Sequence, residues 1–184
     1  VTVDNCIQNI KAYLDIQLVM HDNDFTVEWK IDPQVKAEKV PKLILQPVVE
    51  NALEHGLDVK EEGDKILQLS FLDAEDAVLL RVEDNGMGMR KEVLENILTD
   101  NNKVPKHGSG VGVINVHSRI KLMFGEGYGL TVYSEPDEGT KVVIHIPAIP
   151  YTKENAEKLE NMELGPGAEY VEKMKTARKR LDGF

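Results

Sequence analysis

The sequence predicts an α+β fold, a two-layer sandwich with helices on one face of a mixed, mostly antiparallel sheet. Two observations support this prediction. Segments with the two-residue alternation of strands occur in hairpin-like pairs, and segments with apolar residues three and four positions apart, typical of helices, lie between them. Strands and helices do not alternate strictly, which argues against a doubly wound parallel sheet.

The composition is that of a globular domain with an aliphatic core. Of the 184 residues, 41% are hydrophobic but only 5% are aromatic, so Leu, Ile and Val must form most of the core. The net charge of −10 argues against binding of nucleic acid or anionic lipid. A phosphate-bearing ligand therefore needs a local device, such as a cation, a helix N-terminus or a glycine-rich loop.

The single cysteine, Cys6, excludes an internal disulfide, and its apolar neighbours predict a position in the core. No run approaches the ~20 apolar residues that a membrane-spanning helix needs. The chain does not begin with Met, and we expect it to be part of a longer protein.

The first third of the chain predicts two helices separated by a strand. Apolar residues at helical spacing predict a helix over residues 3–20, and alternation over residues 25–31 predicts a strand that Asp32-Pro33 ends. A second helix is expected over residues 40–55. Pro47 lies inside that range and should disturb its hydrogen-bond ladder.

The rest of the chain predicts two hairpins, two helices and a mobile loop. The loop covers residues 99–110, which are polar, charged and without periodicity. The hairpins pair 66–72 with 78–83 and 130–134 with 140–146, and the helices cover 90–98 and 113–124. Residues 148–184 are highly charged, and helical segments are expected on both sides of Gly165-Pro166-Gly167.

Three segments carry candidate chemistry, and the first is Leu45–Gly56. Glu50 and Asn51 interrupt its apolar helical pattern, and a buried polar group costs about 1–3 kcal/mol unless it is paired. These side chains therefore face either solvent or a site. Amide and carboxylate oxygens suit Mg²⁺ or its water ligands. The alternative is a surface Glu and an Asn at the edge of the core.

The second segment, Asp84–Gly88, follows a strand with an acid and then two glycines. Glycine permits close backbone approach or positive φ. An acid held in a cleft at a strand end can accept a hydrogen bond from an exocyclic amine such as that of adenine. The alternative is a hairpin turn formed by Asp-Asn-Gly.

The third segment has glycines at positions 108, 110 and 112 and leads directly into a helix. Backbone amides and the helix dipole can converge there on an anion. The segment follows a long loop and lacks Gly-Lys-Ser/Thr, so it is neither a dinucleotide-binding fingerprint nor a Walker loop. The alternative is a flexible hinge.

The order of these segments, together with Gly139-Thr140 before the last strand, resembles the GHKL ATPase superfamily, whose members share the Bergerat fold. The resemblance covers roughly residues 40–147. Within the superfamily, Leu-Gln-Pro-Val-Val-Glu-Asn-Ala and Gly-Val-Gly-Val-Ile-Asn-Val-His-Ser-Arg-Ile look like the LytS/YesM-type sensor histidine kinases. The resemblance implies an ATP-binding catalytic kinase domain.

The resemblance also implies roles for individual residues. Asn51 should ligate Mg²⁺, and Glu50 should hold a metal-bound water or help to orient the attacking group. Asp84 should bind the adenine amino group, with Thr140 nearby. The glycines at 86 and 88 should admit the base. The phosphates should contact the third glycine segment and the helix after it, through Gly108, Gly110, Gly112 and Asn115.

One position departs from the resemblance. Many histidine kinases have a Lys three residues after the Asn, where its charge helps to neutralise phosphate, whereas this chain has Glu54. Lys103, Lys106 or His107, in the lid expected over residues 99–109, could supply the missing charge.

The resemblance places the phosphoacceptor histidine on an upstream helical hairpin, because His21 lies in a His-Asp-Asn-Asp turn outside the acceptor context. Residues 1–22 then end the dimerisation or connector helix, residues 23–147 form the catalytic domain, and residues 148–184 form a charged helical extension. The implied partners are ATP, that hairpin and a response regulator. The parent protein is expected to be a homodimer anchored in the cell membrane, with this domain in the cytoplasm.

Other classes remain open at this point. A mismatch-repair or chaperone ATPase would share the superfamily, but the short lid argues against it. A serine kinase acting as an anti-sigma factor shares the fold and would lack the acceptor hairpin. A module that senses nucleotide without catalysis is the third alternative, which Glu50 and Asn51 argue against and Glu54 leaves open.

Overall fold

The computed structural model describes residues 1–74, 76–98 and 111–148, and within them one five-stranded sheet covered by helices. In chain order the elements are α1 (Val3–Met20), β1 (Thr26–Ile31), a short 3-10 helix (Pro33–Val35), α2 (Gln46–Asn51), which continues as a π-helical segment (Ala52–Leu57), β2 (Ile66–Ala74), β3 (Ala77–Asp84), α3 (Lys91–Asn96), α4 (Val111–Phe124), β4 (Gly129–Glu135) and β5 (Gly139–Pro147).

The sheet has the strand order β1-β2-β3-β5-β4. β1 pairs in parallel with β2, with Thr26 opposite Ile66, and the other three pairs are antiparallel. The predicted α+β class with a mixed, mostly antiparallel sheet is therefore confirmed. The β3–β5 pairing places Asp84 directly opposite Thr140, so two candidate site residues that are distant in sequence end their strands side by side.

The second helix begins later than the sequence predicted, at Gln46 and not at residue 40. Leu43 adopts a φ of 60°, a left-handed conformation that a helix cannot contain, and so it separates the preceding residues from α2. Pro47 consequently lies in the first helical turn, where its missing N–H has no helical partner to lose. The expected disturbance of the ladder by Pro47 was wrong for this reason.

One continuous core joins the sheet to its helices. The inward positions of the central strands are closed to solvent, among them Leu69, Phe71, Leu80 and Ile144. Helix α1 contributes to the same core through Val3, Ile7, Ile10 and Leu14. Its first turn is capped by Thr2, whose side chain accepts a hydrogen bond from the backbone N–H of Asn5 at 3.1 Å.

Within the described ranges, no helix combines the length and the apolar character that a membrane span requires.

Two isoleucines of α1 provide a matched test of this packing. Ile10 is 2% exposed, whereas Ile16 is 61% exposed on the same helix. We expect Ile10→Ala to lower the free energy of unfolding by about 2–5 kcal/mol and Ile16→Ala to change it by less than about 0.5 kcal/mol. Chemical denaturation of both variants measures the difference, and equal losses would contradict the placement of α1 in the core.

Candidate nucleotide-binding site

A cavity of about 370 Å³ opens at the end of the sheet where β3 ends and β5 begins. Three parts of the chain form its walls: the end of α2 with the π-helical segment, the residues that follow β3, and the turn between β4 and β5. Among the described residues, the lining consists of Asn51, His55, Gly56, Asp84, Met87, Gly88, Met89, Arg90, Val93, Pro136, Asp137 and Thr140.

Asp84 is the buried acid of this cavity and is only 5% exposed. Removal from water raises the pKa of its carboxyl to about 6, although hydrogen bonds from the backbone amides of Gly86 and Thr140 favour the charged form. The Gly86 amide donates to Oδ1 at 2.9 Å. The carboxylate is thus held mainly by backbone amides and retains capacity to accept a further hydrogen bond from a ligand.

Gly56, at the end of the π-helical segment, packs directly against this carboxylate. A Cβ on Gly56 would lie 2.5 Å from Oδ1 of Asp84, closer than real Cβ contacts allow. The Gly56 carbonyl also accepts a hydrogen bond from the backbone N–H of Met87 at 3.3 Å. The helix that carries Asn51 and the loop that follows Asp84 are therefore in direct contact.

The glycines of the Asp84–Gly88 loop accommodate the protein's own backbone. A Cβ on Gly86 would collide with the backbone of Gly56, and one on Gly88 would collide with the carbonyl of Glu135. Gly88 also has a φ of +67°, which side-chain-bearing residues rarely adopt. Gly88 lines the cavity and Gly86 does not, and their contact with a base stays a prediction.

Thr140 belongs to a chain of hydrogen bonds at the start of β5. The Ser134 hydroxyl donates to the carbonyl of Gly139 at 2.9 Å and accepts from the backbone N–H of Met89 at 2.8 Å. The Thr140 hydroxyl lies 2.8 Å from the Ser134 oxygen. Because the single Ser134 proton points to Gly139, Thr140 is the donor in this contact. Its own oxygen can still accept a hydrogen bond from a ligand or a water.

The two candidate site residues of α2, Glu50 and Asn51, differ in their relation to the cavity. Asn51 lines the cavity, but Glu50 is not among the described lining residues. The Glu50 carboxylate accepts a hydrogen bond from Nε2 of Gln46 at 2.9 Å. It also lies within electrostatic reach of Tyr13 on α1. Burial, followed by the negative charges of Glu50, Glu54 and Asp58, raises the pKa of Tyr13 to about 12.

The predicted phosphate-binding residues are only partly described. Gly112 lies in the first turn of α4, where a Cβ would come within 3.2 Å of Cβ of Pro47, and Asn115 is exposed on the same helix. Neither lines the cavity. The other predicted residues, Gly108, Gly110, Lys103, Lys106 and His107, lie outside the described residues, as does the predicted mobile loop.

Sequence reasoning missed several walls of the cavity, and Arg90 is the most informative of them. Arg90 precedes α3 at its N-cap position and makes no side-chain cap. Ser, Thr, Asp or Asn is favoured there, and a cation opposes the helix dipole. Because the sequence predicted the helix to begin at residue 90, this mismatch with capping preference became visible only when the structure placed Arg90 at the N-cap. Among the described lining residues, Arg90 alone carries a permanent positive charge.

His55 and Asp137 also line the cavity, and sequence reasoning missed both as site residues. His55 is the histidine that ends the predicted second helix, and in the structure its exposed side chain lies on the cavity wall, 3.9 Å from the Glu54 carboxylate. Asp137 lies in the β4–β5 turn with a φ of 64°, and its backbone N–H donates to the Met87 carbonyl at 2.6 Å. A turn residue in a hairpin gives no indication that it faces a distant helix.

Residues 37–150 match the sequence profile of the family described as histidine kinase-, DNA gyrase B- and HSP90-like ATPases. The chain belongs to this family. The resemblance inferred from the motifs is therefore confirmed, and ATP is the nucleotide that this ATPase domain is built to receive.

Curated relatives point to the sensor kinase branch of the family. The chain is 35% identical over 147 residues to sensor histidine kinase YesM of Bacillus subtilis, a match that covers 80% of this chain and 24% of that protein. It is 31% identical over 144 residues to sensor protein LytS of Bacillus anthracis, covering 77% and 24%. The chain thus spans about a quarter of the length of the curated relatives that it matches.

Solved structures agree on the fold. The catalytic domain of histidine kinase ThkA aligns with a TM-score of 0.59 at 13% identity, covering 82% of this chain and 97% of that one. The histidine kinase domain of a blue-light activated kinase from Erythrobacter litoralis aligns with a TM-score of 0.52 at 18% identity, covering 84% and 63%. These matches show that the ATPase domain has the fold of histidine kinase catalytic domains.

The buried carboxyl of Asp84 should make the stability of the ATPase domain depend on pH. Because the pKa of Asp84 rises from 3.8 to about 6 on folding, the folded state binds this proton more tightly than the unfolded state. The free energy of unfolding should therefore fall as pH rises from about 4 to about 6, by roughly 2–3 kcal/mol. Denaturation at several pH values measures this slope. The Asp84→Asn variant should lack this contribution, and equal slopes in both proteins would contradict it.

Arg90 should contribute to the binding of ATP. We expect Arg90→Gln to weaken ATP affinity about fivefold, or ~1 kcal/mol, because an exposed cation that lines the cavity attracts the polyphosphate only moderately. The loss should diminish at high salt. Calorimetry measures both effects, with Lys91→Gln as the matched control because its exposed side chain lies outside the cavity lining. Equal affinities for both variants at low salt would refute this contribution.

Proposed function

We propose that this chain is the catalytic domain of a sensor histidine kinase. It would transfer the γ-phosphoryl group of ATP to a histidine on a separate dimerisation hairpin, from which a response regulator receives it. The observation that carries the proposal is the buried Asp84 carboxylate in a cavity that Asn51 also lines. This pair of residues combines a recognition group for the base with an oxygen ligand for a metal.

The base end of the site is proposed at Asp84. Its carboxylate would accept a hydrogen bond from the exocyclic amine of adenine, and the Thr140 hydroxyl would accept from the same group directly or through a water. The cavity volume of about 370 Å³ is within the usual range for small-molecule sites. A ligand with a keto group in place of the amine would be rejected, because two acceptors would then face each other.

The metal end of the site is proposed at Asn51. The described residues contain no group of three or more His, Cys, Asp or Glu side chains that could hold an ion. The amide oxygen of Asn51 is a suitable Mg²⁺ ligand when phosphates and waters supply the others, which is the usual arrangement for Mg²⁺ with nucleotides. Bound there, Mg²⁺ would neutralise charge that develops on the transferred phosphoryl group.

Glu50 has two predicted roles, and its position supports the second. Its carboxylate accepts a hydrogen bond from Gln46 and does not line the cavity, so it is suited to orient an attacking group that arrives from outside the cavity. That group would be the acceptor imidazole. Phosphoryl transfer depends mainly on such positioning and on electrostatics, and little covalent chemistry is required of the protein.

The parent protein is proposed to be a homodimer anchored in the membrane, with this domain in the cytoplasm. The net charge of −10 argues against a nucleic-acid partner. The names of the curated relatives favour a histidine kinase over a serine kinase that acts as an anti-sigma factor. They also favour it over a module that only senses nucleotide.

The test is phosphoryl transfer from labelled ATP in a longer chain that includes the upstream segment. We expect a phosphorylated histidine, stable to alkali and labile to acid, and about a hundredfold less transfer with Asn51→Ala, because the metal would lose its protein ligand. Lys91→Gln should transfer normally. Acid-stable phosphoserine would favour the serine kinase, and ATP binding without transfer would favour the sensing module.

A further inference from the structure

Lys60 lies in the connection between the π-helical segment and β2, outside every motif that the sequence singled out. Its half-buried side chain donates two hydrogen bonds to backbone carbonyls, to Asp64 at 2.8 Å and to Asn85 at 2.9 Å. The first bond closes its own connection, which covers residues 58–65. The second reaches the Asp84–Gly88 loop, 25 residues further along the chain.

Asn85 completes the link between the two segments. Its Nδ2 donates to the Asp64 carbonyl at 2.8 Å, so this carbonyl accepts from both Lys60 and Asn85. Its Oδ1 accepts from the backbone N–H of Ile66 at 2.8 Å. Lys60 is the charged member of this network, and hydrogen bonds from an ammonium group are stronger than those between neutral groups.

The network ends next to the buried acid of the cavity. Asn85 follows Asp84 directly, so the carbonyl that Lys60 holds lies in the peptide unit that leads to Gly86, whose amide binds the Asp84 carboxylate. The positive charge of Lys60 also favours the ionised form of Asp84, against burial and the charge of Glu83. Lys60 itself is not among the residues that line the cavity.

We propose that Lys60 is a positioning residue for nucleotide binding, which holds the Asp84–Gly88 loop in the geometry that receives adenine. This inference depends on the proposed base-binding role of Asp84. Lys60 acts through the Asn85 backbone and through its charge, without touching the nucleotide. It also connects the end of the helix that carries Asn51 to the adenine end of the site.

The test compares ADP binding by calorimetry across pH in the wild type, Lys60→Met, Lys60→Gln and Lys60→Arg. Lys60→Met should bind about tenfold more weakly at neutral pH, because charge-assisted hydrogen bonds to the loop are lost. As pH is lowered, its affinity should begin to fall at a higher pH than that of the wild type, because Asp84 has lost the nearby positive charge of Lys60. Lys60→Arg should keep the wild-type pH profile and recover part of the affinity. Lys36→Met, an exposed control distant from the loop, should match the wild type.

The pH profile separates positioning from a purely structural contribution. The other charged groups near Asp84, namely Glu83 and the cavity residues His55, Arg90 and Asp137, are the same in every variant, so a difference between the profiles is due to residue 60. If Lys60→Met does not fold, Lys60→Gln decides the question, since it keeps a donor but loses the charge. Unchanged affinity and pH profile in the folded variants would overturn the inference. Failure of the wild type to bind ADP would instead overturn the proposed function.

Discussion

A carboxylate removed from water must be surrounded by donors, and the arrangement of this domain around Asp84 follows from that requirement. Backbone amides of Gly86 and Thr140 supply part of the solvation, and burial still raises the pKa of the group to about 6. The amides come from a tight loop and from the neighbouring strand β5. Gly56 has no side chain, which allows the end of the preceding helix to close over the acid. A ligand amine would supply the remaining donor.

The helix that carries Asn51 and ends at Leu57 shows how local backbone geometry serves the cavity. It changes from α-helical to π-helical winding after Asn51, and such segments often mark functional sites. The wider winding gives Asn51, His55 and Gly56 a common face toward the cavity. Glu50 does not line the cavity, and its carboxylate accepts a hydrogen bond from Gln46. The helix thus directs Asn51, but not Glu50, into the cavity.

The domain is acidic overall and yet binds a highly charged anion. Among the described residues, the cavity has one permanent cation, Arg90, placed where a helix cap would normally be. A second cation, Lys60, lies outside the cavity lining. It donates a hydrogen bond to the backbone of the Asp84–Gly88 loop, and its charge favours the ionised form of Asp84. The remaining phosphate charge must be met by metal, backbone amides or residues beyond the described ranges. The small number of cations near the site is consistent with the presence of Glu54 at the position where many relatives in the superfamily have Lys.

The sequence by itself determined the fold class, the strands and most helix positions, because hydrophobic periodicity is a local property. It also pointed to Asn51, Asp84 and Thr140 as candidate site residues, because each lies in a short motif that can be recognised in the sequence. The tertiary structure decided the features that depend on packing and cannot be predicted from local sequence patterns. The start of α2 depended on the left-handed Leu43, and the position of Glu50 outside the cavity lining was visible only in the structure. Arg90 and Asp137 line the cavity, and Lys60 holds the Asp84–Gly88 loop, because tertiary packing places them there, which no periodicity records.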